Sequence, residues 1–335
     1  MAYLNRITGT KTSRSAMDKL IETLEIPGLN PQSPDKMGNK SKSILETARE
    51  QVSGLVNAEP REITFVANGT ESVNLAIKGL VNSSRKSKSG RKIVISAVEH
   101  LSVVNSVKAL VKEGFEMVIV PVDEHGCVIR DEYAKALDDD VLLVSIQLAN
   151  PEVGTTQEIA QLATLAREKG ISFHTDAVDA VGWMKVDVKE LGVDAMSFSG
   201  TQFHGPAGAA ALYVKKGVSL VPMLHGGLQE RHRRPGLENI PAIAGFGMAA
   251  EEARSSLENR IEQAEKFGQA LRQGLSGIES VTFTGHPDRR IPGHVSVMIH
   301  YVEGEALLLM MDMKDIQAAS GSSCTTARWN AACCA

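Results

Sequence analysis

Length, composition and charge place the chain among ordinary globular proteins. Its 335 residues, of which 43% are hydrophobic and 23% charged, can build one large domain or two unequal ones. A formal net charge of −4 gives no reason to expect a nucleic acid or an anionic membrane as a partner. No run of eighteen apolar residues occurs and the first residues lack an apolar signal segment, so we expect a cytoplasmic protein.

Short apolar runs rich in β-branched residues alternate with helical patterns along most of the chain. A helix with the apolar stripe Ile44, Ala48, Val52 and Leu55 comes first. Buried strands are predicted at 63–67, 92–96, 117–121, 141–145, 171–174, 195–198 and 209–214. Between them, apolar residues recur at helical spacing over 73–81, 103–112 and 159–169. This alternation predicts a mostly parallel seven-stranded sheet with helices on both faces.

The C-terminal third has a different organisation. A second long helix is predicted over 259–275, and a strand-like segment follows at 294–299. We therefore predict an N-terminal arm over 1–15, a large domain over 16–250 and a small C-terminal domain over 251–335.

The segment 197–206 reads Ser-Phe-Ser-Gly-Thr-Gln-Phe-His-Gly-Pro. It resembles the cofactor-lysine segment of cysteine desulfurases, which belong to the class V aminotransferases. In that family a lysine holds pyridoxal 5′-phosphate (PLP) as a Schiff base, and here its position is Gln202. An amide cannot form an imine with an aldehyde, so PLP would be held non-covalently if at all. The resemblance implies the PLP-dependent transferase fold type I, with a small α+β C-terminal domain that is truncated relative to the family.

Gly69 and Thr70 follow a predicted strand and open a predicted helix. Backbone N–H groups and a hydroxyl at such a place can bind an anion, although a simple helix N-cap is the alternative interpretation. The resemblance favours the anion-binding interpretation, because Gly69 and Thr70 match the turn that binds the PLP phosphate in the family. Ser199 matches a serine whose hydroxyl contacts the phosphate in the family. Thr201 replaces a histidine that also faces the phosphate there.

Three further motifs match positions that contact the PLP ring in the family. His100, in Glu-His-Leu-Ser, would stack on the pyridine ring and move protons. Asn150, in Asn-Pro-Glu-Val-Gly, would contact the ring hydroxyl. Asp176, in His-Thr-Asp-Ala, would pair with the pyridine nitrogen and strengthen the ring as an electron sink.

Several positions depart from the family pattern besides Gln202. Asp179 stands where the family usually has glutamine, so a second carboxylate lies near Asp176. Leu237 replaces a threonine that reaches the partner subunit's phosphate, and Asn5 replaces a carboxylate. The chain also ends soon after Cys324. Together these losses indicate a changed function.

Three of the four cysteines crowd the last dozen residues. Cys324, in Ser-Gly-Ser-Ser-Cys, resembles the mobile-loop cysteine that accepts sulfur as a persulfide in the family. Cys324, Cys333 and Cys334 also offer three thiolates, which suit an iron–sulfur cluster. An exposed tail without ligands is the alternative for Cys333 and Cys334.

Two hypotheses follow. The first is a divergent cysteine desulfurase in sulfur mobilisation and iron–sulfur cluster assembly, with Cys324 as nucleophile and His100 as acid–base group. The second is a catalytically inactive relative that acts as a sulfur carrier or iron–sulfur scaffold. The resemblance implies L-cysteine or a related thiol as substrate, a sulfur acceptor or scaffold protein as partner, and a homodimer. A nucleotide-binding Rossmann enzyme is disfavoured because no Gly-x-Gly-x-x-Gly follows a predicted strand.

Overall fold

The computed structural model describes residues 2–85 and 89–321. Its strands, in chain order, are β1 Ala2–Tyr3, β2 Ile63–Val66, β3 Lys92–Ser96, β4 Glu116–Val120, β5 Val141–Ser145, β6 Ser172–Asp176, β7 Ala195–Ser199, β8 Ala210–Val214, β9 Val281–Phe283, β10 Val297–Ile299 and β11 Ile316–Gln317. Its α-helices are α1 Arg14–Leu24, α2 Lys36–Leu55, α3 Gly69–Ser84, α4 Leu101–Val111, α5 Arg130–Ala136, α6 Ile159–Glu168, α7 Val188–Leu191, α8 Ile240–Leu275 and α9 Gly304–Asp312.

Strands β2 to β8 form one sheet in the order β2-β8-β7-β6-β5-β3-β4. All of its neighbouring pairs are parallel except the two made by β8, which runs antiparallel to β2 and β7. This confirms the predicted mostly parallel seven-stranded sheet. The predicted bounds of β3 and β5 are correct, whereas β6 extends two residues beyond the predicted end at His174.

The extension of β6 has a physical cause. The predicted strand stopped at His174, before Thr175 and Asp176, but these polar residues are buried and hydrogen-bonded to neighbouring elements. His174 Nδ1 lies 2.8 Å from Ser145 Oγ, and its Nε2 lies 3.0 Å from Ser197 Oγ. The Thr175 hydroxyl donates to the carbonyl of Ile146 at 2.8 Å. Buried polar groups that find partners in this way let the strand continue to Asp176.

Helices cover both faces of the sheet, as the sequence predicts. Strands β5, β7 and β8 are buried along their whole length, so their apolar residues reach both layers. Helices α3 and α4 build one hydrophobic core cluster with the sheet, whereas α2, α6 and the first half of α8 build the other.

Helix α8 is one continuous helix of 36 residues, which begins well before the predicted start at 259. Its first half is almost all buried, so it lacks the one-sided apolar stripe that signals a surface helix. The second half leads to the small β9–β10 hairpin and α9. The domain boundary at 250/251 falls inside this helix and stays a prediction. Neither α8 nor another helix within the described ranges has the length and apolar character needed to cross a membrane.

Candidate functional site

A cavity of about 250 Å³ opens where β6 and β7 end and α3 begins. Ligands of open α/β sheets collect at this edge, outside the carboxyl ends of the strands. Every predicted cofactor-binding residue except Asn150 lines the cavity, namely Gly69, Thr70, His100, Asp176, Ser199, Thr201 and Gln202. The fold therefore brings together motifs that are far apart in the sequence.

Asn150 lies next to the cavity-lining Pro151, but its side chain is occupied by local hydrogen bonds. Its Oδ1 accepts from the backbone N–H groups of Glu152 and Val153 at 2.9 Å each. Its Nδ2 donates to the carbonyl of Val98 at 3.3 Å. The side chain thus stabilises the turn after β5, and its contact with a cofactor hydroxyl stays a prediction.

One end of the cavity suits an anion. Helix α3 begins at Gly69, directly after the N-cap Asn68, whose Oδ1 accepts from the backbone N–H of Glu71 at 2.9 Å. The 16-residue helix points its positive dipole end into the cavity. A Cβ at position 69 would lie 3.0 Å from a methyl of Val178, so the close approach here favours glycine. The hydroxyls of Ser199 and Thr201 lie 3.0 Å apart at the same end.

Asp176 is a buried carboxylate at the end of β6. Its Oδ1 accepts from the backbone N–H of Val178 at 3.0 Å, which fixes the side chain against the cavity. Burial raises the pKa of Asp176 to about 6, because the charged form loses hydration. The carboxylate is therefore ionised at neutral pH and can accept a hydrogen bond from a cationic ring.

His100 is the N-cap of α4. Its Nδ1 accepts from the backbone N–H of Ser102 at 3.1 Å and lies 2.7 Å from the Ser102 hydroxyl. An accepting Nδ1 places the proton of the neutral ring on Nε2. Burial lowers the pKa of His100, although the charges of Asp179 and Glu152 act in the other direction. The ring is thus held neutral in one tautomer, beside the cavity.

Gln202 replaces the lysine of the family pattern and is 7% exposed. Its Nε2 donates to Asp179 Oδ1 at 3.3 Å and to the carbonyl of Ile7 at 3.4 Å. The backbone carbonyl of Gln202 accepts from the indole N–H of Trp183 at 2.6 Å. The Oε1 of Gln202 is buried, and no group among the described residues donates a hydrogen bond to it.

The N-terminal arm contributes Ile7 to the lining of the cavity, which the sequence motifs did not reveal. Thr10 donates to the carbonyl of Thr201 from both its backbone N–H and its hydroxyl, at 2.8 and 2.9 Å. Arg6 donates to the carbonyl of Asp179 at 2.9 Å, and its guanidinium lies 5.0 Å from the centre of the Trp183 ring. No local pattern around Arg6 signals these contacts, because both partners lie more than 170 residues away in the chain.

Glu99 is a second residue that the motif analysis did not single out, although it directly precedes His100. Its Oε1 accepts from the Ser96 hydroxyl at 2.5 Å and from the backbone N–H of Gln147 at 3.0 Å. Its Oε2 is buried and has no hydrogen-bond partner in the described part of the chain. Burial, assisted by the nearby charge of Asp176, raises the pKa of Glu99 to about 8. The sequence could have indicated Glu99, because it is a glutamate directly before a histidine and close to the end of a buried strand.

We expect Glu99→Gln to stabilise the protein at alkaline pH. The pKa of Glu99 is about 8 in the folded protein and lower in the unfolded chain. Between these two pKa values the folded protein therefore binds more protons than the unfolded chain. The free energy of unfolding of the wild type should therefore fall by up to about 1.4 kcal/mol per pH unit as the pH rises to about 8. Glutamine stays neutral, so the variant should gain stability relative to the wild type over this window.

Urea unfolding of both proteins at about pH 6 and about pH 8.5 measures this difference. Glu113→Gln, at an exposed position, is the matched control and should show the pH dependence of the wild type. An identical pH dependence for Glu99→Gln and the wild type would show that Glu99 is not protonated in the folded protein.

The predicted cysteine sites Cys324, Cys333 and Cys334 lie outside the described residues, so their roles stay predictions. Within residues 2–85 and 89–321, no cluster of three or more His, Cys, Asp or Glu residues could hold a metal ion. Leu237, which stands where the family pattern has a threonine, is 61% exposed.

Comparison with known proteins identifies the family. A model described as aminotransferase class V matches residues 2–334. The chain belongs to the class V aminotransferase family. Within that family, it is 40% identical over 324 residues to the cysteine desulfurase IscS of Methanosarcina thermophila, which covers 97% of this chain and 80% of that protein. It is 38% identical to the IscS of Dictyoglomus turgidum, over 97% of this chain and 82% of that protein.

Solved structures agree with this assignment to the cysteine desulfurase branch of the class V family. A NifS-like protein superimposes with a TM-score of 0.90 at 33% identity, over 94% of this chain and 86% of that one. A NifS-like protein from Rickettsia africae gives a TM-score of 0.88 at 29% identity, over 96% and 88%. The resemblance and the fold type inferred from the motifs are confirmed. PLP is the cofactor of this family.

Proposed function

We propose that the protein is a cysteine desulfurase-type enzyme of sulfur mobilisation and iron–sulfur cluster assembly that holds PLP without a covalent bond. One observation carries the proposal. A single cavity gathers an anion-binding helix start, a buried carboxylate at Asp176 and a neutral histidine at position 100. The relatives that match nearly the whole chain are named cysteine desulfurases, and one structural neighbour was solved as SspA in complex with cysteine, with a TM-score of 0.83 at 26% identity.

The residues present fit the two groups of PLP that are bound without a covalent bond, the phosphate and the pyridine nitrogen. The start of α3 and the hydroxyls of Thr70, Ser199 and Thr201 would hold the phosphate. Asp176 would hold the pyridine nitrogen. When bound, the group supplies an electron sink for bonds at the substrate's α-carbon. The residues do not allow the covalent bond to the PLP aldehyde, because Gln202 has no amine.

The chain's own groups would then share the remaining work. His100 keeps a proton on Nε2 and can exchange it with the substrate, in place of the missing lysine. The Cys324 thiolate would attack the substrate sulfur, so that the sulfur–carbon bond breaks and a sulfur–sulfur bond forms. The carbon skeleton takes up a proton and leaves as alanine, and the persulfide passes its sulfur to an acceptor or scaffold protein. Gly208, which lines the cavity, accepts at its backbone carbonyl from Asn239 Nδ2 at 3.4 Å, two residues after the exposed Leu237. We propose that a homodimer completes the site on this side.

We expect slow but measurable alanine formation from L-cysteine when PLP and a reducing thiol are supplied. Cys324→Ser should abolish persulfide on the protein, because serine cannot accept sulfur. Cys127→Ser is the matched control and should keep the persulfide, since Cys127 is buried away from the cavity. Amino-acid analysis measures alanine, and mass spectrometry locates the added sulfur. The absence of both products from the wild type would overturn the desulfurase proposal.

Gln202 favours a second candidate, a catalytically inactive relative that carries sulfur or an iron–sulfur cluster on Cys324, Cys333 and Cys334. If the protein purified without oxygen contains iron, replacing these three cysteines with serine should remove it. Iron retained in the triple variant would exclude the cysteine cluster.

A further inference from the structure

Three of the residues that line the cavity can exchange a proton near neutral pH within the part of the chain that the structure describes: His100, Asp176 and Asp179. Chemistry at the substrate's α-carbon needs a base that takes the proton of this carbon. In the proposed site, Asp176 is committed to the pyridine nitrogen. His100 and Asp179 are therefore the two candidates for the base.

His100 is arranged to donate a proton rather than to accept one. Its Nδ1 accepts from the backbone N–H of Ser102 at 3.1 Å and lies 2.7 Å from the hydroxyl of the same residue. The lone pair of the neutral ring is therefore occupied, and Nε2 carries the proton. Burial lowers the pKa of His100 and so disfavours the uptake of a second proton, although the charges of Asp179 and Glu152 act in the other direction.

Asp179 has the geometry that a base requires. Its Oδ1 accepts from Gln202 Nε2 at 3.3 Å, so the carboxylate lies beside the position that the family pattern gives to the lysine. Asp179 also lines the cavity, and no group in the described ranges donates a hydrogen bond to its Oδ2. Gln202 thus holds one oxygen of the carboxylate and leaves the other for a ligand.

The charges around Asp179 suit the same task. Burial raises the pKa of Asp179 to about 6, the positive charge of Arg6 lowers it, and the charge of Asp176 raises it. A protonated His100 would also lower it. A carboxylate with this pKa is a stronger base than an ordinary one, and it is still ionised at about pH 7.5. Arg6 therefore keeps Asp179 ready to accept a proton under neutral conditions.

We propose that Asp179 is the base that takes the α-proton of the substrate, in place of the lysine that Gln202 replaces. The inference rests on the proposed function and deepens it, and His100 keeps the role of proton donor. The α-carbon–hydrogen bond breaks, its electron pair stays with the carbon skeleton, and the proton bonds to Oδ2 of Asp179. The acid formed returns a proton to this carbon when alanine is completed, so Asp179 ends the cycle ionised. A carboxylate is a weaker base than a free amine, so the wild type should stay slower than Gln202→Lys.

Exchange of the α-hydrogen of L-alanine for deuterium tests the base apart from the sulfur chemistry, because alanine has no sulfur for Cys324 to accept. The full-length protein receives saturating PLP in deuterium oxide, and proton NMR follows the loss of the α-hydrogen signal. We expect Asp179→Asn to exchange about 10²–10⁴ times more slowly than the wild type. Asp139→Asn, in an exposed turn, is the matched control and should exchange at the wild-type rate.

A second test uses the cofactor-free protein and needs no turnover. Carbon NMR of protein labelled at its aspartate carboxyl groups measures the pKa of Asp179, whose signal is the one absent from Asp179→Asn. The midpoint should lie at about 6, and Arg6→Gln should move it to higher pH, because the charge of Arg6 lowers this pKa. Arg6→Lys keeps the charge and should keep the midpoint. The pH profile of α-hydrogen exchange should move in the same direction in Arg6→Gln, which a merely structural role of Asp179 does not predict.

Two outcomes would overturn the inference alone, provided that the wild type forms alanine from L-cysteine. The first is exchange at the wild-type rate in Asp179→Asn. The second is a pH profile of exchange that stays unmoved in Arg6→Gln while the pKa of Asp179 rises. A wild type that neither exchanges L-alanine nor forms alanine from L-cysteine would overturn the proposed function and the inference together.

Discussion

Gln202→Lys is expected to turn the protein into one that retains PLP covalently and forms alanine faster. The wild-type chain has no amine at this position, so PLP should be lost on desalting. A lysine supplies both the amine that bonds to the aldehyde and a base at the substrate's α-carbon. A positioned base is worth about 10²–10⁴ in rate, so alanine formation should rise by about that factor. Absorbance after desalting and borohydride fixation followed by mass spectrometry measure the covalent bond.

The structure also predicts a limit to this gain. Gln202 Nε2 donates to Asp179 at 3.3 Å, so a lysine amine would meet the same carboxylate. That charge raises the lysine pKa and keeps the amine protonated, which slows its attack on the aldehyde. The double variant Gln202→Lys with Asp179→Gln should therefore retain more PLP than the single variant.

Gln202→Arg is the matched control, because it adds a positive charge without an amine that forms an imine. It should lose PLP on desalting, as the wild type does. If the arginine and lysine variants behave alike, the missing lysine does not explain the loss of covalent binding.

Glu230→Ala is expected to lower the free energy of unfolding by about 3–5 kcal/mol. Glu230 forms a two-pronged ion pair with Arg49, with Nη1 and Nη2 at 2.8 and 2.7 Å from its two oxygens. The side chains of Arg49 and Glu230 are only 2% and 1% exposed. Glu230 also accepts from the backbone N–H of Phe65 at 2.8 Å. Removing it leaves the buried guanidinium with only the exposed Glu46 as a counter-charge, and urea unfolding measures the cost.

Two controls separate the buried charge from other effects. Glu46→Gln removes an exposed partner of Arg49 and should cost about 1 kcal/mol or less. The double variant Arg49→Met with Glu230→Leu should recover part of the loss, because it leaves no unpaired charge. A loss below about 1 kcal/mol for Glu230→Ala would mean that water or another group compensates Arg49.

The sequence predicted the sheet well because its strands are short, buried and β-branched. It missed the start of α8, where both sides of the helix are buried and no amphipathic stripe appears. In the site, residues carried by local motifs, such as Thr70 and Asp176, line one cavity as expected. Arg6 and Trp183 were missed because their contacts depend on tertiary packing, which short motifs do not encode.

The N-terminal arm, which contributes Ile7 to the cavity, is held by two segments that lie far apart in the sequence. Strand β1 pairs in parallel with β11, Ala2 opposite Ile316, while Thr10 is anchored on Thr201. Contacts between the two ends of a chain carry a high loop-closure cost and form late. Since synthesis proceeds from the N-terminus, the arm must wait for its last partner strand. The arm therefore gains its last partner strand well after the residues that line the cavity, of which Gly208 is the last in the sequence, have been made.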